Sequence, residues 1–146
     1  MSVDRHAFTE GLVADFRAHA GHTTSGPFLG KDLLLLTTTG AKSGLKRMTP
    51  LVYSMDGDRL VIIASKGGAD THPAWYHNIV ANPVVTVEVG DETFEARATV
   101  VNAAERRRLF DAHATINPGF WDYEKKTDRT IPAIVLERIA SAGQAK

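Results

Sequence analysis

The spacing of apolar positions changes period several times along this chain, and each change marks an element. Phe8, Leu12 and Phe16 recur every four residues with Val13 and Ala20 beside them, so residues 4–20 read as an amphipathic helix that Gly21 can end. After the turn-rich "GHTTSGP", the stretch "DLLLLTTT" (32–39) is an unbroken apolar run, the pattern of a strand covered on both faces. "RMTPLVYSM" and "RLVIIAS" flank Asp56-Gly57 and are expected to pair as a hairpin over 47–65. "VVTVEV" and "ETFEARATVV" form a second hairpin over Gly90-Asp91. On its return strand Phe94, Ala96, Ala98 and Val100 point one way, and Glu95, Arg97 and Thr99 the other. "IPAIVLERI" (131–139) is the last strand.

Helices interrupt the strands. Thr71 is expected to cap "HPAWYHNIVA", with Pro73 in the first turn and Asn82-Pro83 as the stop. Asn102, with Glu105 three residues on, is a capping-box start for "AAERRRLFDAHA". The aromatic piece "NPGFWDYEKKTD" is partly helical, and a short polar tail, "SAGQAK", ends the chain. About six short strands joined by hairpins pair antiparallel and tend to roll up so that edges are hidden. The expected fold is α+β: one domain over 1–146, with a helix at 4–20 and an antiparallel barrel with inserted helices over 31–139.

Composition removes several function classes. An apolar fraction of 43% and a charged fraction of 23% are ordinary for a soluble domain. Seventeen Lys and Arg balance seventeen Asp and Glu, so no global field draws the chain to nucleic acid or to an anionic membrane. Any anionic partner has to be met by a local cluster. The chain has no cysteine, so it has neither disulfides nor thiolate chemistry. The N-terminus lacks the apolar core of a signal peptide, and there is no run of about 18 apolar residues to cross a bilayer. A cytoplasmic protein is the expectation.

Among the chemistry-bearing patterns, the phosphate-binding G-x-x-x-x-G-K-[ST] and dinucleotide G-x-G-x-x-G motifs are both missing. Ser43 in "GAKSG" lacks the G-x-S-x-G elbow of a serine hydrolase. His19 and His22 are three apart, but a turn signal separates them and no carboxylate accompanies them, so no metal site is expected. What remains is binding by cations, hydroxyls, amides and aromatics. In "TTTGAKSGLKRMTP" (37–50), Lys42, Lys46 and Arg47 put three cations within six residues, beside Gly40, Gly44, Ser43 and three threonines. The loop is either an anion site or a solvated hairpin tip.

"IASKGGADTHPAWYHN" (63–78) leaves a buried strand through Ser65, Lys66 and two glycines and enters a helix dense in flat and polar groups. On that helix Trp75 is either plain core or a pocket wall. "INPGFWDYEKKTDRTIP" (116–132) adds Phe120, Trp121 and Tyr123, whose crowding suits a pocket wall, although Trp121 also suits a core.

Taken together, "LLTTTGAKSGLKRMTPL", "ASKGGADTHPAWYHNIVANP" and "DYEKKTDRTIP" resemble the deazaflavin-dependent nitroreductase family of actinobacteria, from about Leu34 to Leu136. The resemblance implies a split β-barrel related to FMN-binding oxidases. Its cofactor would be the reduced 8-hydroxy-5-deazaflavin coenzyme F-420, with FMN as the alternative. It places Ala41, Lys42 and Ser43 at the phosphate and oligoglutamate tail, and Arg47, Met48, Thr49, Pro50, Leu51 and Val52 along the path to the ring. Ile63, Ala64, Ser65 and Lys66, with Ala74, Trp75, Tyr76, His77 and Asn78, would surround the deazaflavin and its ribityl chain.

Ser65 and Tyr123 match substrate-side hydroxyls and are the candidate catalytic residues; Asn117, Phe120 and Tyr123 would line the acceptor pocket. The member that activates nitroimidazoles has tyrosines where this chain has Asn117 and Phe120, so quinone or enone acceptors are expected over bulky nitroimidazoles. The partner implied is a small-molecule electron acceptor. The assembly would be a monomer or a homodimer. The N-terminal helix would cover the pocket, packed on the barrel, or rest peripherally on a membrane surface. A non-catalytic coenzyme carrier is the other reading these residues allow.

Overall fold

The computed structural model describes residues 5–24 and 30–139, with side chains from Glu10 onward. Asp4 and the side chain of Phe8, both counted in the expected first helix, lie outside the described set, as does the "SAGQAK" tail. In chain order the elements are α1 (Arg5–Ala18), β1 (Leu33–Thr39), β2 (Lys46–Val52), β3 (Ser54–Asp56) and β4 (Arg59–Ile63). Next come a 3-10 turn at Lys66–Gly68, α2 (Ala74–Ala81), β5 (Val84–Val89), β6 (Glu92–Val100), α3 (Ala103–Ile116), α4 (Gly119–Lys125) and β7 (Ala133–Arg138). The fold is α+β.

All seven described strands form one antiparallel sheet in the order β2-β1-β5-β6-β7-β4-β3. Its two edge strands, β2 and β3, are separated in sequence by Tyr53 alone. A sheet whose opposite edges are one residue apart must be rolled up, and the result is a curled split barrel. Pro50, which cannot donate to a ladder, sits on the edge strand β2 opposite Leu35.

This corrects the expected hairpin over 47–65. Only Ser54–Asp56 pairs with β4, across the Gly57 turn, whereas Lys46–Val52 pairs with β1. The apolar pattern runs on through Tyr53 because the chain turns a barrel corner there without a glycine or proline to mark it. The second hairpin is as expected, with Ala96 and Ala98 buried and Glu95, Arg97 and Thr99 exposed.

β1 is covered on both faces, as its leucine run predicts. Leu34 and Leu36 face the barrel interior with Ile62, Val87, Ala96 and Ile134. Leu33 and Leu35 face α1, where they bury Leu12 and Phe16. Each such side chain contributes about 1.5–3 kcal/mol on burial. The Arg17–Glu88 ion pair, with Arg17 54% exposed, contributes about 1 kcal/mol or less. Packing therefore holds α1 on the barrel, and the bidentate contact at 2.8 and 2.9 Å sets its rotation. The helix ends as expected at Gly21 (φ 92), whose N–H donates to the Phe16 carbonyl at 2.8 Å. A Cβ on Gly21 would lie 2.6 Å from the Gly90 backbone, so only glycine lets α1 close onto the β5–β6 turn.

A second core lies on the outer face of β4 and β7, where Val61, Ile63 and Val135 meet Leu109 and Phe110 of α3, with Phe120, Trp121 and Tyr123 of α4 packed against them. Asn102 caps α3 by accepting the Glu105 N–H at 3.0 Å, while the Glu105 carboxylate turns to Arg108. Thr71 does not cap α2. Pro73 holds that position in extended geometry, and the Thr71 hydroxyl accepts from Lys66 Nζ at 3.2 Å.

Candidate functional site

A groove of about 1430 Å3 opens between α1, the β1–β2 loop, β2 and the first turns of α2. Drug-sized ligand pockets run to about 300–1,000 Å3, so this one suits a long ligand. The loop that forms its rim is built by its own backbone. Gly40 N–H donates to Leu45 O at 2.8 Å, Gly44 N–H to Gly40 O at 3.0 Å, and Leu45 N–H to Ser43 Oγ at 3.1 Å. A Cβ on Gly40 would stand 2.4 Å from Ser43 Oγ, and Gly44 occupies the left-handed region at φ 71. Ser43 Oγ accepts one bond here and keeps its proton for a ligand.

The loop is braced from α2. Buried Asn78 accepts the Ala41 N–H at 3.0 Å and donates to Thr38 Oγ1 at 3.1 Å, and Asn82 donates to the Thr39 carbonyl at 3.3 Å. The Ala41 amide is therefore engaged by Asn78, and Lys46 Nζ donates to Thr39 Oγ1 at 3.0 Å. Lys42 and Arg47 are exposed on the groove and pair with no carboxylate among the described residues.

The groove thus gathers Ala41, Lys42, Ser43, Arg47, Met48, Thr49 and Pro50 from the first signature, and Ala74, Trp75, His77 and Asn78 from the second. Trp75, 6% exposed, belongs to the inner core and lines the groove as well, which joins its two expected roles. Leu51 packs against the inner core and Val52 pairs with Leu33; neither lines the groove. Nor does Tyr76, which stacks on His72 with centroids 4.4 Å apart. Ile63 points into the outer core and Ala64 into the inner one.

Ser65 precedes and Lys66 begins the 3-10 turn, and neither lines the groove. Gly68 of that turn lies against α4, where a Cβ would come 2.9 Å from the Tyr123 carbonyl. Tyr123 and Ser65 are thus on neighbouring segments, and Tyr123, like Ser65, does not line the groove.

The expected acceptor-pocket residues sit on the outer core. Asn117 ends α3, its own N–H and its side-chain amide both turned to the His113 carbonyl at 2.9 and 3.4 Å. Phe120 packs edge-on against His113 at 4.4 Å and against Tyr123 at 5.1 Å. His113 is fully buried: Nδ1 meets Ser54 Oγ at 2.8 Å, and Nε2 has no partner among the described residues. Burial pushes its pKa down to about 4, so the ring is neutral.

The α1 helix supplies a wall of the groove, in line with its expected place over the pocket, but the residues that form the wall were not singled out from the sequence. Glu10, Val13, Ala14 and Arg17 line the groove at i, i+3, i+4 and i+7. This second stripe beside Leu12 and Phe16 was visible in the chain, but its docking partner was not. Arg129, whose guanidinium reaches into the 64–72 segment, was also missed.

Comparison with known proteins agrees with this arrangement. Residues 11–138 match the family described as "F420H(2)-dependent quinone reductase". The F420H(2)-dependent quinone reductase Rv1261c of Mycobacterium tuberculosis is 43% identical over 108 residues, 72% of each chain. A solved F420-H2 dependent reductase, FDR-A, superposes with a TM-score of 0.67 at 39% identity, over 73% of this chain and 94% of its own. A second solved relative, described as a domain-swapped dimer, gives 0.69 at 33% identity over 92% and 98%. Among the described residues no helix is long and apolar enough to cross a membrane. With the groove, the braced basic loop and the matched span in agreement, the chain belongs to the F420H(2)-dependent quinone reductase family.

Proposed function

We propose that this protein reduces small electron-poor acceptors, quinones foremost and activated alkenes next, using reduced coenzyme F-420 held in the groove. One observation carries the reading. Two sequence signatures some tens of residues apart converge on a single long groove whose rim cations, Lys42 and Arg47, pair with no carboxylate among the described residues. Such a groove fits the group. The rim suits a polyanionic tail, and Met48, Pro50 and Trp75 offer apolar surface to a flat ring. When bound, the reduced deazaflavin supplies a hydride, leaving the acceptor in need of a proton.

The residues then divide the work. Lys42 and Arg47 hold the tail, each charge-assisted contact contributing about 1.5–3 kcal/mol, with the Ser43 hydroxyl as a further donor. Asn78 keeps the loop in register with α2, so that the tail clamp and Trp75 stay at a constant separation. Tyr123 or Ser65 hydrogen-bonds the oxygen on which negative charge develops, and Tyr123 donates the proton.

Titration with F-420 and with FMN, followed by oxidation of reduced F-420 with menadione as acceptor, tests the reading. F-420 is expected to bind more tightly than FMN, with the advantage shrinking as salt rises, and menadione is expected to drive oxidation. Equal affinity for both cofactors with no oxidation overturns the proposal. Tight F-420 binding without turnover leaves a carrier.

A further inference from the structure

We infer that Arg129 is a positioning residue for this reaction: its guanidinium holds the 64–72 segment, which carries Ser65 and Lys66 and leads into α2, in its working shape. The inference rests on the functional reading above, which places Ser65 and the start of α2 at the site.

Four contacts radiate from the one side chain. Nε–H donates to the Ala69 carbonyl at 2.7 Å. Nη2 donates to the Ser65 carbonyl at 2.8 Å and to the Ala64 carbonyl at 3.2 Å. Nη1 donates to His72 Nδ1 at 3.0 Å. The guanidinium makes no ion pair among the described residues; its donors are spent on backbone oxygens and on one ring nitrogen. A second stitch runs beside it: Arg129 N–H donates to Thr127 Oγ1 at 3.2 Å, and Thr127 Oγ1 donates to Asp70 Oδ1 at 3.0 Å. The "EKKTDRTIP" and "ASKGGADTHP" stretches are thus joined by a set of hydrogen bonds.

The segment needs such a restraint. Lys66 (φ 48), Gly67 (φ 64) and Gly68 (φ 86) are three successive residues in the left-handed region. Lys66 is not a glycine, so its conformation is strained and persists only where the surroundings enforce it. Arg129 grips the carbonyls on both sides of this turn, at Ser65 and at Ala69.

The same contact sets a tautomer. A guanidinium can only donate, so His72 Nδ1 must present its lone pair, and the ring is neutral with its proton on Nε2. Burial lowers the pKa of His72, and the neighbouring Arg129 and His77 lower it further. His72 stacks on Tyr76 at 4.4 Å and meets His77 edge-on at 5.9 Å, and His77 lines the groove. Arg129 therefore touches the groove's wall through His72 without reaching the groove itself. A lysine would keep the charge but could not serve four acceptors from one flexible ammonium.

The test compares Arg129→Lys and Arg129→Ala with Val135→Ala, a cavity in the outer core that destabilises the fold away from the segment. Both arginine variants are expected to fold. With menadione their kcat should fall by about tenfold or more. Their F-420 dissociation constant should move by less than about threefold, because Lys42 and Arg47 lie on another loop. Millimolar guanidinium should restore part of the Arg129→Ala turnover. Amides 66–72 should exchange faster with solvent in both variants while those of α3 do not, and the His72 ring-nitrogen NMR signals should lose the Nε2–H pattern; neither readout needs coenzyme.

Unchanged turnover in folded Arg129→Lys overturns the proposal. So does a loss that merely follows thermal stability as in Val135→Ala, or unaltered exchange at 66–72 beside a normally active wild type. A wild-type protein that neither binds nor oxidises the reduced coenzyme overturns the functional reading, and this inference with it.

Discussion

Two stretches of this chain carry three closely spaced cations each, and the fold treats them in opposite ways. On α3, Arg106, Arg107 and Arg108 are all compensated: Arg106 and Arg107 by Glu124, Arg107 also by Asp111, and Arg108 by Glu105 and Asp56. On the β1–β2 loop, Lys46 is bonded only to a threonine hydroxyl, while Lys42 and Arg47 stand exposed beside a groove. Two of the arginine partners were readable as helical spacings, Arg107 to Asp111 and Glu105 to Arg108. The loop has no carboxylate at any comparable spacing. A basic cluster becomes evidence for an anionic ligand when the protein's own carboxylates leave it uncompensated.

That contrast can be broken most sharply at the loop. The double variant Lys42→Ala/Arg47→Ala is expected to raise the F-420 dissociation constant by about 100-fold or more, from about 1.5–3 kcal/mol per contact. Its urea midpoint should barely move, since both side chains are exposed. Fluorescence titration at low and high salt measures the first and equilibrium unfolding the second. An unchanged dissociation constant would make the loop a solvated tip.

The outer core should respond to acid instead. His113 is neutral in the fold with a pKa of about 4, against about 6.5 in the unfolded chain. Between those values the unfolded chain holds more protons, so stability is full above about pH 6.5 and falls as pH drops toward 4. The loss expected from this one group is about 3 kcal/mol. His113→Gln should flatten that slope in urea titrations, and an equal slope in the variant would remove the assignment.

Tyr123 belongs to the same outer wall yet is proposed to serve the acceptor. Tyr123→Phe is expected to lower menadione turnover by roughly tenfold with the coenzyme affinity intact. Equal turnover would assign the proton to water and confine α4 to packing. The smallest effect belongs to Arg108→Ala. Arg108 and Asp56 shift each other's pKa outward through their hydrogen bonds, but solvent screens the pair, so the variant should barely move the urea midpoint and should leave F-420 binding unchanged.

Much of this was legible in the chain because it depends on local periodicity. The leucine run announced a doubly covered strand, Gly90-Asp91 a hairpin, and Asn102 a helix start. The break at Tyr53 was not legible, because a barrel corner interrupts pairing without interrupting the apolar pattern. The same division holds for the site. Lys42, Arg47 and Trp75 stood out as charge and aromatic density, whereas the α1 wall depends on a docking partner remote in sequence. Asn117 drew attention through resemblance alone and Phe120 through aromatic crowding as well, and both lie against His113, whose pairing with Ser54 spans 59 positions and leaves no local trace.

Tyr53 is the clasp of a hoop. Its amide donates to the Asp32 carbonyl at 3.0 Å, so the one residue linking the two margins of the sheet is also tied to the root of β1. Arg47 to Pro50 lie just upstream of the clasp, and β4, just downstream, runs into the Ser65 turn. The circumference of the hoop thus governs how far the anion-gripping rim stands from the hydroxyl-bearing turn. A single residue inserted there would loosen that span without touching either one.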